Sequence, residues 1–307
     1  ITSNACAETI TFGTTAGGGL RAFHSSVLIS NSIIRGNMLY GGSANTTIGG
    51  GICNYYGVMT VIDSMINANN AQGWANAAVI QGAGIYNAYK DLALRNCLVT
   101  GNQATNVGGG VVNGFNGQTR IVACTIADNL GGVHNAGGML AVTNSILWGN
   151  GDDVGDAVET AWCDIEDGDN AGTNGCFSAN PIFTMGFYLG DGSPGINGGT
   201  NRAASWKLAG KTTRVDGTLD GDVVDLGYHY QNGLSWQDLY VSPDGNDGWS
   251  GTNWTEAVRS ITRAITLSRD GTRIHIAAGN YTNLMETFPL TIDGLTGLEF
   301  LGTNAAS

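Results

Sequence analysis

The stretch Gly49–Asn69 reads GGGICNYYGVMTVIDSMINAN and contains two short motifs that recur along the chain. The second motif spans seven residues, with an aliphatic residue at its fourth position and asparagine at its seventh. It occurs as NSIIRGN from Asn31, DSMINAN from Asp63, NCLVTGN from Asn96, ACTIADN from Ala123 and NSILWGN from Asn144. The first motif occurs as GGGICN from Gly49, GAGIYN from Gly82, GGGVVN from Gly108 and a shorter GGVHN from Gly131. The seven-residue motif recurs after 32, 33, 27 and 21 residues, an interval typical of solenoids.

Between the motifs lie short alternating apolar runs such as VLIS, LALRN and RIVA, bounded by glycine and asparagine. This pattern predicts strands joined by tight bends, because Gly and Asn tolerate the positive φ angles that bends require. Strands that recur at such variable intervals favour an all-β solenoid, a parallel β-helix whose coils carry loops of unequal length. Equivalent residues of successive coils would then stack about 4.8 Å apart.

Stacking gives several repeated positions a predicted place. The aliphatic fourth positions are expected to form an interior row, consisting of Ile34, Ile66, Val99, Ile126 and Leu147. Asn31, Asn96 and Asn144 are expected at one bend, where their amides can bond along the stack. Two cysteines, Cys97 and Cys124, are expected to be small interior residues, because their position in the motif holds serine at Ser32, Ser64 and Ser145.

Composition narrows the function classes. The chain has 307 residues, including 49 glycines and 4 prolines, and its formal net charge is -12. A negative field of this size repels phosphate backbones and anionic lipid surfaces, so nucleic acid is not an expected partner. No run of about 18 apolar residues occurs, so membrane insertion is not expected either. The first residues lack signal-peptide features, so a secreted protein would be represented here by a mature or internal fragment.

Six cysteines occur without any CxxC pair, at Cys6, Cys53, Cys97, Cys124, Cys163 and Cys176. A zinc or redox motif of that type is therefore not predicted. Cys163 and Cys176 lie in one short stretch, WCDIEDGDNAGTNGCF. Two interpretations remain open for this pair, a disulfide bond or two free buried thiols.

Later in the chain come CDIEDG from Cys163, NPIF from Asn180, GSPGINGG from Gly192 and DGTLDGDVVDLGYHY from Asp216. Together with the NSILWGN-type repeats, these segments resemble secreted right-handed parallel β-helix proteins of the pectin-lyase-like superfamily, especially bacterial repeat proteins of the choice-of-anchor type. In that family this order marks the last coils and the C-terminal end of the helix. The resemblance implies a right-handed solenoid and an extracellular or cell-surface location. It implies no single activity, since the family includes lyases, hydrolases and adhesins.

The segments Tyr240–Thr252, YVSPDGNDGWSGT, and Gly271–Asn283, GTRIHIAAGNYTN, resemble the opposite end of the same family. In relatives they mark the first strand, the cap and the first coil. A short capping helix is predicted between them, because Asn253 and Glu256 have the spacing of a capping box. The apolar face of this helix is expected to contain Trp254, Val258, Ile261 and Ile265.

The module order is therefore circularly permuted, with coils at 1–150, terminal coils at 151–232, a linker at 233–238 and a head at 239–307. Three explanations are open: the head completes the next subunit, the chain is one period of a tandem array, or the head folds onto its own body. The linker reaches less than about 30 Å, whereas about ten coils make a body of about 50 Å. This comparison favours the next subunit, and a contact that does not close produces an open filament.

The predicted interface consists of apolar residues at the two ends of the module: Leu239, Tyr240, Trp254, Val258, Ile261, Ile265, Leu298 and Phe300 in the head, with Ile1 and Ile10 in the body. These residues would join copies of the chain head to tail. The expected function is an extracellular structural protein that forms a filament or surface fibre. The alternative is a secreted protein that binds or degrades polysaccharide in a groove along one sheet.

No catalytic residue and no organic cofactor is assigned. Lysine occurs only at Lys90, Lys207 and Lys211, and the carboxylates of the coils do not align as the pair that a glycosidase needs. Two acidic loops offer hard oxygen ligands for a structural calcium ion. The predicted ligands are Asp216, Asp220 and Asp222 in one loop, and Asp244, Asn246 and Asp247 in the other. The other interpretation of both loops is turn-forming residues in solvent.

Overall fold

The computed structural model describes residues 1–2, 4–7, 14–41, 46–73, 79–105, 108–155, 157–231, 237–268, 272–282, 284–292 and 298–302. The chain divides into two compact units. Unit 1 comprises Ile1–Ile182 and Leu189–Gln231, and unit 2 comprises Phe183–Tyr188 and Asn232–Ser307.

Unit 1 is built from short strands joined by tight bends. Its strands are β1 (Ala5–Ala7), β2 (Thr14–Ala16), β3 (Leu20–Phe23), β4 (Ser26–Ser30), β5 (Ile33–Arg35), β6 (Met38–Gly41), β7 (Thr46–Ile48), β8 (Ile52–Tyr55), β9 (Val58–Asn67), β10 (Asn70–Gly73), β11 (Val79–Gln81), β12 (Ile85–Ala88), β13 (Asp91–Thr100), β14 (Gln103–Ala104), β15 (Val111–Gly114), β16 (Gly117–Val122), β17 (Thr125–Ala127), β18 (Val133–Asn135), β19 (Gly138–Thr143), β20 (Ile146–Trp148), β21 (Val154–Gly155), β22 (Val158–Ala161), β23 (Asp164–Ile165), β24 (Lys211–Thr212) and β25 (Tyr230–Gln231). Short 3-10 helices span Met185–Phe187, in unit 2, and Ala203–Trp206.

Successive coils of unit 1 pair in parallel, strand on equivalent strand. Three sheets have the orders β1-β6-β10-β14, β2-β7-β11 and β3-β8-β12-β15-β18-β21. In the fourth sheet the long strands β9 and β13 pair with each other, with β4 and β5 on the outer side of β9 and β16 and β17 on the outer side of β13. The predicted all-β parallel solenoid is confirmed.

The predicted interior row is present. The register pairs Ile34 with Ile66, Ile66 with Val99, Val99 with Ile126, and Ile126 with Leu147. Each of these side chains is at most 1% exposed. Burial of one such aliphatic side chain contributes about 1.5–3 kcal/mol, so the row is a main source of the solenoid's stability.

The asparagines at the seventh motif position form a continuous ladder inside the solenoid. The Nδ2 atoms of Asn37, Asn69, Asn102 and Asn129 each donate to Oδ1 of the asparagine on the next coil, at 2.9 Å, and the ladder ends at Asn150. The same oxygens accept the backbone N–H of the preceding asparagine. A second ladder connects Asn54, Asn87, Asn113 and Asn135. These side chains are buried, and apart from Oδ1 of Asn54, for which the described residues supply no partner, the ladders satisfy their amide groups.

The first motif positions lie at one bend, as predicted. The φ angles of Asn31, Asn96 and Asn144 are 46°, 52° and 51°. Asn96 donates Nδ2 to Oδ1 of Asp63 on the preceding coil at 2.8 Å. The side chains of Asn31 and Asn144 instead accept hydrogen bonds from residues late in the chain, so the predicted side-chain bonding along the stack holds only at Asn96 among the three. The backbone N–H groups of Asn31 and Asn144 do bond along the stack, to Ile62 O at 3.1 Å and Ala161 O at 3.2 Å.

The glycine-rich motif passes close to the neighbouring coil. A Cβ atom at Gly50 would lie 2.7 Å from the carbonyl oxygens of Ala83 and Asn70, and one at Gly51 would lie 2.7 Å from that of Gly84. Because the obstructing atoms are backbone, they cannot move aside for a side chain. The close approach of the backbones of the two coils therefore requires glycine at Gly50 and Gly51.

The predicted serine and cysteine row is also interior. The backbone N–H of Cys97 donates to Sγ of Cys124 at 3.3 Å, and that of Cys124 donates to Oγ of Ser145 at 3.1 Å. Both cysteines are 0% exposed. Cys163 follows the same pattern, since its Sγ donates to the carbonyl two residues earlier, as Sγ of Cys97 and of Cys124 do.

The chain then turns back along the outside of the coils. We call Gly227–Gln231 the return segment. Its contacts proceed from a late coil to the first: Gly227 N–H to Asn144 O, Tyr228 N–H to Thr125 Oγ1, His229 N–H to Asn96 Oδ1, and Gln231 Nε2 to Asn31 Oδ1. The chain therefore leaves unit 1 beside the first coil. The premise that the linker starts at the far end of the body is wrong, so its length does not favour the next subunit.

Unit 2 contains the strands β26 (Gln237–Val241), β27 (Thr272–Ile276) and β28 (Glu299–Gly302), all parallel, and the helix α1 (Ile261–Leu267). Residues 237 and 238, assigned above to the linker, belong to β26, and residues 232–236 lie outside the described residues. The core contains Leu239, Val241, Val258, Ala264 and Ile274. The three strands form a small parallel sheet covered by one helix, as predicted for the head segment.

The helix is shorter than the sequence predicts. Asn253 caps a separate 3-10 turn, Trp254–Glu256, by accepting the N–H of Glu256 at 2.9 Å. Helix α1 starts later, where Oγ of Ser260 accepts the N–H of Arg263 at 3.0 Å. Trp254 consequently lies outside the helix and is 45% exposed.

Candidate functional site

The first complete coil of unit 1, β2–β6, has an open edge. Among the described residues, β2 pairs only with β7, β3 only with β8 and β4 only with β9. Ala22 of this coil is buried, but Leu20, Val27 and Ile29, three interior side chains of β3 and β4, are half-buried. Their partners on the next coil, Ile52, Met59 and Val61, are at most 1% exposed. The outer sides of β3 and β4 are called the open edge below.

A short part of a preceding coil covers β5 and β6 but not the open edge. Thr2 bridges to Arg35, whose N–H donates to the carbonyl of Ile1 at 3.0 Å. Asn4 extends the asparagine ladder by donating Nδ2 to Asn37 at 2.9 Å. Ile1 is 52% exposed, and Ile10, the other body residue of the predicted interface, lies outside the described residues. The position beside β5 is therefore filled, whereas that beside β4 lacks a strand in the described part of the chain.

Unit 2 ends in a strand that also has a free side. β28 pairs with β27, and no other partner is present among the described residues. Phe300 stands in the row of the buried Ile274 and is 41% exposed. Leu301 stands in the opposite row with His275. Within the described residues, the end of this small sheet therefore presents an apolar row and a strand edge without a paired neighbour.

The other head residues of the predicted interface lie mostly in the core of unit 2. Leu239 and Val258 are 0% exposed, and Ile261, Ile265 and Leu298 pack half-buried around them. The ring of Tyr240 stacks on that of His275 with centroids 4.7 Å apart and meets the ring of Trp254 edge-on at 4.8 Å. Trp254 and Phe300 remain as the exposed head residues of that set.

The structure does not bring the first set of predicted calcium ligands together. Asp216 pairs with Nη2 of Arg214 at 2.7 Å. Asp220 is buried, and its Oδ2 contacts Nε2 of His229 at 2.8 Å and accepts the N–H of Asp225 at 2.9 Å. Asp222 is exposed. Each carboxylate thus has its own surroundings.

The second set stabilises the turn before helix α1. Oδ1 of Asp247 accepts the N–H groups of Arg259 and Ser260, both at 2.8 Å, and Oδ2 accepts the hydroxyl of Ser260. Oδ1 of Asn246 accepts the N–H of Gly248 at 2.8 Å, and Asp244 is exposed. These contacts match the turn-forming interpretation of this loop.

Another acidic cluster forms between two loops of unit 1. Carboxylate oxygens of Asp152, Asp167 and Asp169 lie within 4.8 Å of one another, and all three residues are exposed. Desolvation of its carboxylate by the surrounding groups and the nearby negative charges of Asp167 and Asp152 raise the pKa of Asp169. Carboxylate oxygens are ligands that Ca²⁺ accepts. The cluster is a candidate cation site, which the sequence conceals because its members come from two separate loops.

A cavity of about 440 Å³ lies beside β19 and β22, lined by the inward-pointing Val142 and Thr160 as well as by outward-pointing residues. Its lining includes Ala141 and Glu159 from the strands and Asn170, Thr173 and Asn174 from the loop after β23. Glu159 is the one carboxylate among the lining residues, so these residues do not supply the two carboxylates that glycoside hydrolysis generally uses. The small side chain of Ala141 leaves room in the cavity, and the loop residues offer amide and hydroxyl groups, so the cavity suits a ligand with many hydroxyl groups.

Cys163 and Cys176 are free, buried thiols in this structure, and the disulfide between them stays a prediction. Each side chain lies near enough to the other to shift its pKa. Cys163 is 0% exposed and Cys176 is 3% exposed. The pair lies at the end of the interior core of unit 1.

Residues 243–303 match the model of a family described as a protein of unknown function, DUF1565. This family is associated with parallel β-helix proteins, in agreement with the parallel stacking of β26, β27 and β28. Searches of curated proteins and of solved structures found no significant match. Within the described residues, no helix has the length and apolar character needed to span a membrane. The match and the stacking together identify a parallel β-helix protein.

Proposed function

We propose that the protein is an extracellular structural β-helix whose open edge is completed by β28 of another copy, or of the preceding repeat in a tandem array. The observation that carries this proposal is the difference between the first two coils. Val27 and Ile29 are half-buried, whereas Met59 and Val61, one coil further in, are at most 1% exposed. An added strand would bury the first row to the same extent and pair the exposed backbone groups.

The two surfaces match in direction and in side-chain pattern. Both sheets are parallel, so β28 can extend the sheet of β4 without a change in pairing type. Placing the apolar row of Phe300 over that of Val27 and Ile29 directs Leu301 to the outer face, beside Leu28. Leu28 is 67% exposed in unit 1.

The strand that follows β28 would also have a place. In the first coil, β4 leads into β5, and Ile1–Thr2 already lies beside β5. If Ser307 of one copy leads to Ile1 of the next, nine residue steps separate Phe300 from Thr2. Eight steps separate Val27 from Arg35, to which Thr2 bridges. The near equality supports one continuous coil made from the two segments, with one extra residue at the bend.

The proposal is tested by cross-linking two variants of the full chain that each carry one added cysteine. Leu28→Cys and Leu301→Cys are made separately, with Cys6→Ser and Cys176→Ser in both, and mixed with a short bifunctional maleimide. We expect covalent dimers that contain one chain of each type, because the two positions face outward on adjacent strands of the proposed joint. Met139→Cys is the matched control, since Met139 is 54% exposed but lies several coils away and should not cross-link to Leu301→Cys.

The double variant Leu28→Cys/Leu301→Cys distinguishes closure within one chain. Internal cross-links at high dilution, together with no dimers in the mixture, would refute assembly between copies. Electron microscopy provides an independent measurement. Fibres with an axial repeat of roughly 50 Å are expected from about ten coils, and uniform single particles would contradict the proposal.

Polysaccharide binding is the second candidate function, favoured by the cavity on β19 and β22. Affinity electrophoresis in gels that contain neutral or acidic polysaccharides tests it. A retardation that Glu159→Ala abolishes, and that Glu299→Ala in unit 2 leaves unchanged, would support binding at this cavity. Equal mobility in every gel would count against it.

A further inference from the structure

The thiols of Cys163 and Cys176 are held together by the backbone around them. The N–H of Phe177 donates to the carbonyl of Cys163 at 2.9 Å, and Phe177 bridges in parallel to Asp164. The N–H of Cys176 donates to the carbonyl of Thr173 at 2.9 Å, which fixes the turn that leads into it. Because Phe177 pairs with Asp164, the preceding residues Cys176 and Cys163 lie side by side where the loop after β23 returns to the coil from which it left.

The pair differs from the other contacting cysteines, Cys97 and Cys124. Those two lie on adjacent interior coils, with strands of the same sheet on both sides, and each is 0% exposed. Cys176 is instead reached from a surface loop, because Asn174 and Gly175 before it are exposed. A small solute can approach Cys176 with less disturbance of the fold.

The chemistry of the two sulfurs is complementary. A hydrogen bond from Cys163 is the largest cause that lowers the pKa of Cys176 to about 6, against an ordinary value of 9.0. Burial raises the pKa of Cys163 well above its ordinary value. At neutral pH the site thus contains a thiolate, the nucleophilic form, in contact with a protonated thiol.

We propose that Cys163 and Cys176 form an oxidation site, at which hydrogen peroxide converts the two thiols to a disulfide that closes the loop of residues 164–175. The thiolate of Cys176 attacks one peroxide oxygen, the O–O bond breaks, and the departing hydroxide takes a proton to become water. Sγ of Cys163 then attacks Sγ of the sulfenic acid at Cys176, and the S–O bond breaks. The second hydroxide leaves with the proton of Cys163, so two thiols and one peroxide give one disulfide and two water molecules.

The closed loop supports two of the features described above. It contributes Asn170, Thr173 and Asn174 to the wall of the cavity on β19 and β22. It also carries Asp167 and Asp169 of the acidic cluster. Oxidation would therefore restrict both surfaces without any change in the coils beneath them.

The test uses the full chain, reduced, freed of reductant and treated with a small excess of hydrogen peroxide. Catalase ends the reaction, free thiols are alkylated after denaturation, and peptides are identified by mass spectrometry. We expect a cross-linked peptide that joins Cys163 to Cys176, while Cys53, Cys97 and Cys124 are recovered alkylated. Amide exchange of residues 164–175 should slow, and the unfolding equilibrium constant should fall roughly a hundredfold, as closure of a loop of this length predicts.

Cys163→Ser is the matched variant, because serine occupies the equivalent interior position at Ser32, Ser64 and Ser145. It should lose the stabilisation by peroxide, whereas Cys124→Ser should keep it. Recovery of Cys163 and Cys176 as alkylated thiols after peroxide would overturn the proposal, even if the variants failed to fold. A Cys97–Cys124 disulfide in place of the proposed one, or unchanged exchange of the loop in the oxidised protein, would also overturn it.

Discussion

Replacement of Asn102 by alanine tests whether the interior asparagine ladder stabilises the solenoid. Asn102 is 0% exposed, and its side chain makes four hydrogen bonds. Oδ1 accepts the backbone N–H and Nδ2 of Asn69 at 3.0 and 2.9 Å, while Nδ2 donates to Ile66 O and Asn129 Oδ1, both at 2.9 Å. Asn102→Ala removes all four. At a net contribution of about 0.5–1.5 kcal/mol for each bond, the free energy of unfolding should fall by about 2–6 kcal/mol.

Gln103→Ala is the control, because Gln103 is the next residue, carries the same amide group and is exposed. Its free energy of unfolding should change by less than about 0.5 kcal/mol. Urea unfolding followed by far-ultraviolet circular dichroism measures both variants against the unsubstituted chain. A difference between the two variants below about 1 kcal/mol would refute the view that the ladder, rather than packing alone, stabilises the coils.

Two further substitutions test single buried carboxyl groups. Burial is the largest cause that raises the pKa of Asp164 from 3.8 to about 7. The neutral carboxyl group therefore stabilises the fold fully below about pH 4, and this stabilisation is lost as the pH rises to about 7. One pKa unit corresponds to about 1.4 kcal/mol, so the free energy of unfolding of Asp164→Asn should rise by up to about 4 kcal/mol relative to that of the unsubstituted chain between pH 4 and pH 8. Urea unfolding at each pH measures this, and an equal pH dependence in both proteins would contradict it. In unit 2, the carboxylate of Glu286 accepts the N–H groups of Ile261 and Thr262 at 2.6 and 2.8 Å, so Glu286→Ala should weaken the first turn of α1 by about 2–3 kcal/mol. Amide exchange of α1 should accelerate accordingly in this variant and stay unchanged in Glu159→Ala, and equal exchange in both would contradict the capping role.

The coil architecture could be predicted because stacking repeats one local environment. Val99 lies in the same interior row as Ile66 and Ile126, so a position that stays aliphatic through five repeats must point inward. The glycine motif could be recognised for a similar reason, since the close backbone approach recurs from coil to coil. Periodicity thus identifies the positions that are equivalent, even where the intervals between them vary.

Periodicity does not tell which of two recurring asparagines faces the interior. Both the first and the seventh motif positions carry asparagine, and the sequence alone suggested the first for bonding along the stack. Asn31 adopts a positive φ at the bend and is exposed, whereas Asn37 is 0% exposed and joins the ladder. The direction of a side chain at a corner depends on the backbone angle, which the pattern of residue types leaves undetermined.

Contacts between distant loops were equally hidden. Asp220 has the spacing of a calcium ligand within its own loop, yet the buried His229 contacts its carboxylate. Asp152 and Asp167 approach each other only because the coils bring their loops together. A candidate ligand set can be inferred from one loop only when no other segment competes for its oxygens.

The path of the return segment changes what an assembly experiment can show. Gln231 lies beside Asn31, so the linker that follows it starts near the first coil. If this linker can span the distance that β28 needs to reach β4 of the same chain, it would hold β28 there at an effective concentration on the order of millimolar. A second copy at micromolar concentration would lose such a competition by about a thousandfold for equal contacts. Dimers between Leu28→Cys and Leu301→Cys chains at micromolar concentration would therefore mean that the linker cannot place β28 beside β4 of the same chain. The length of the linker, which favoured assembly when measured against the whole body, becomes instead the property that decides between a filament and a self-closed molecule.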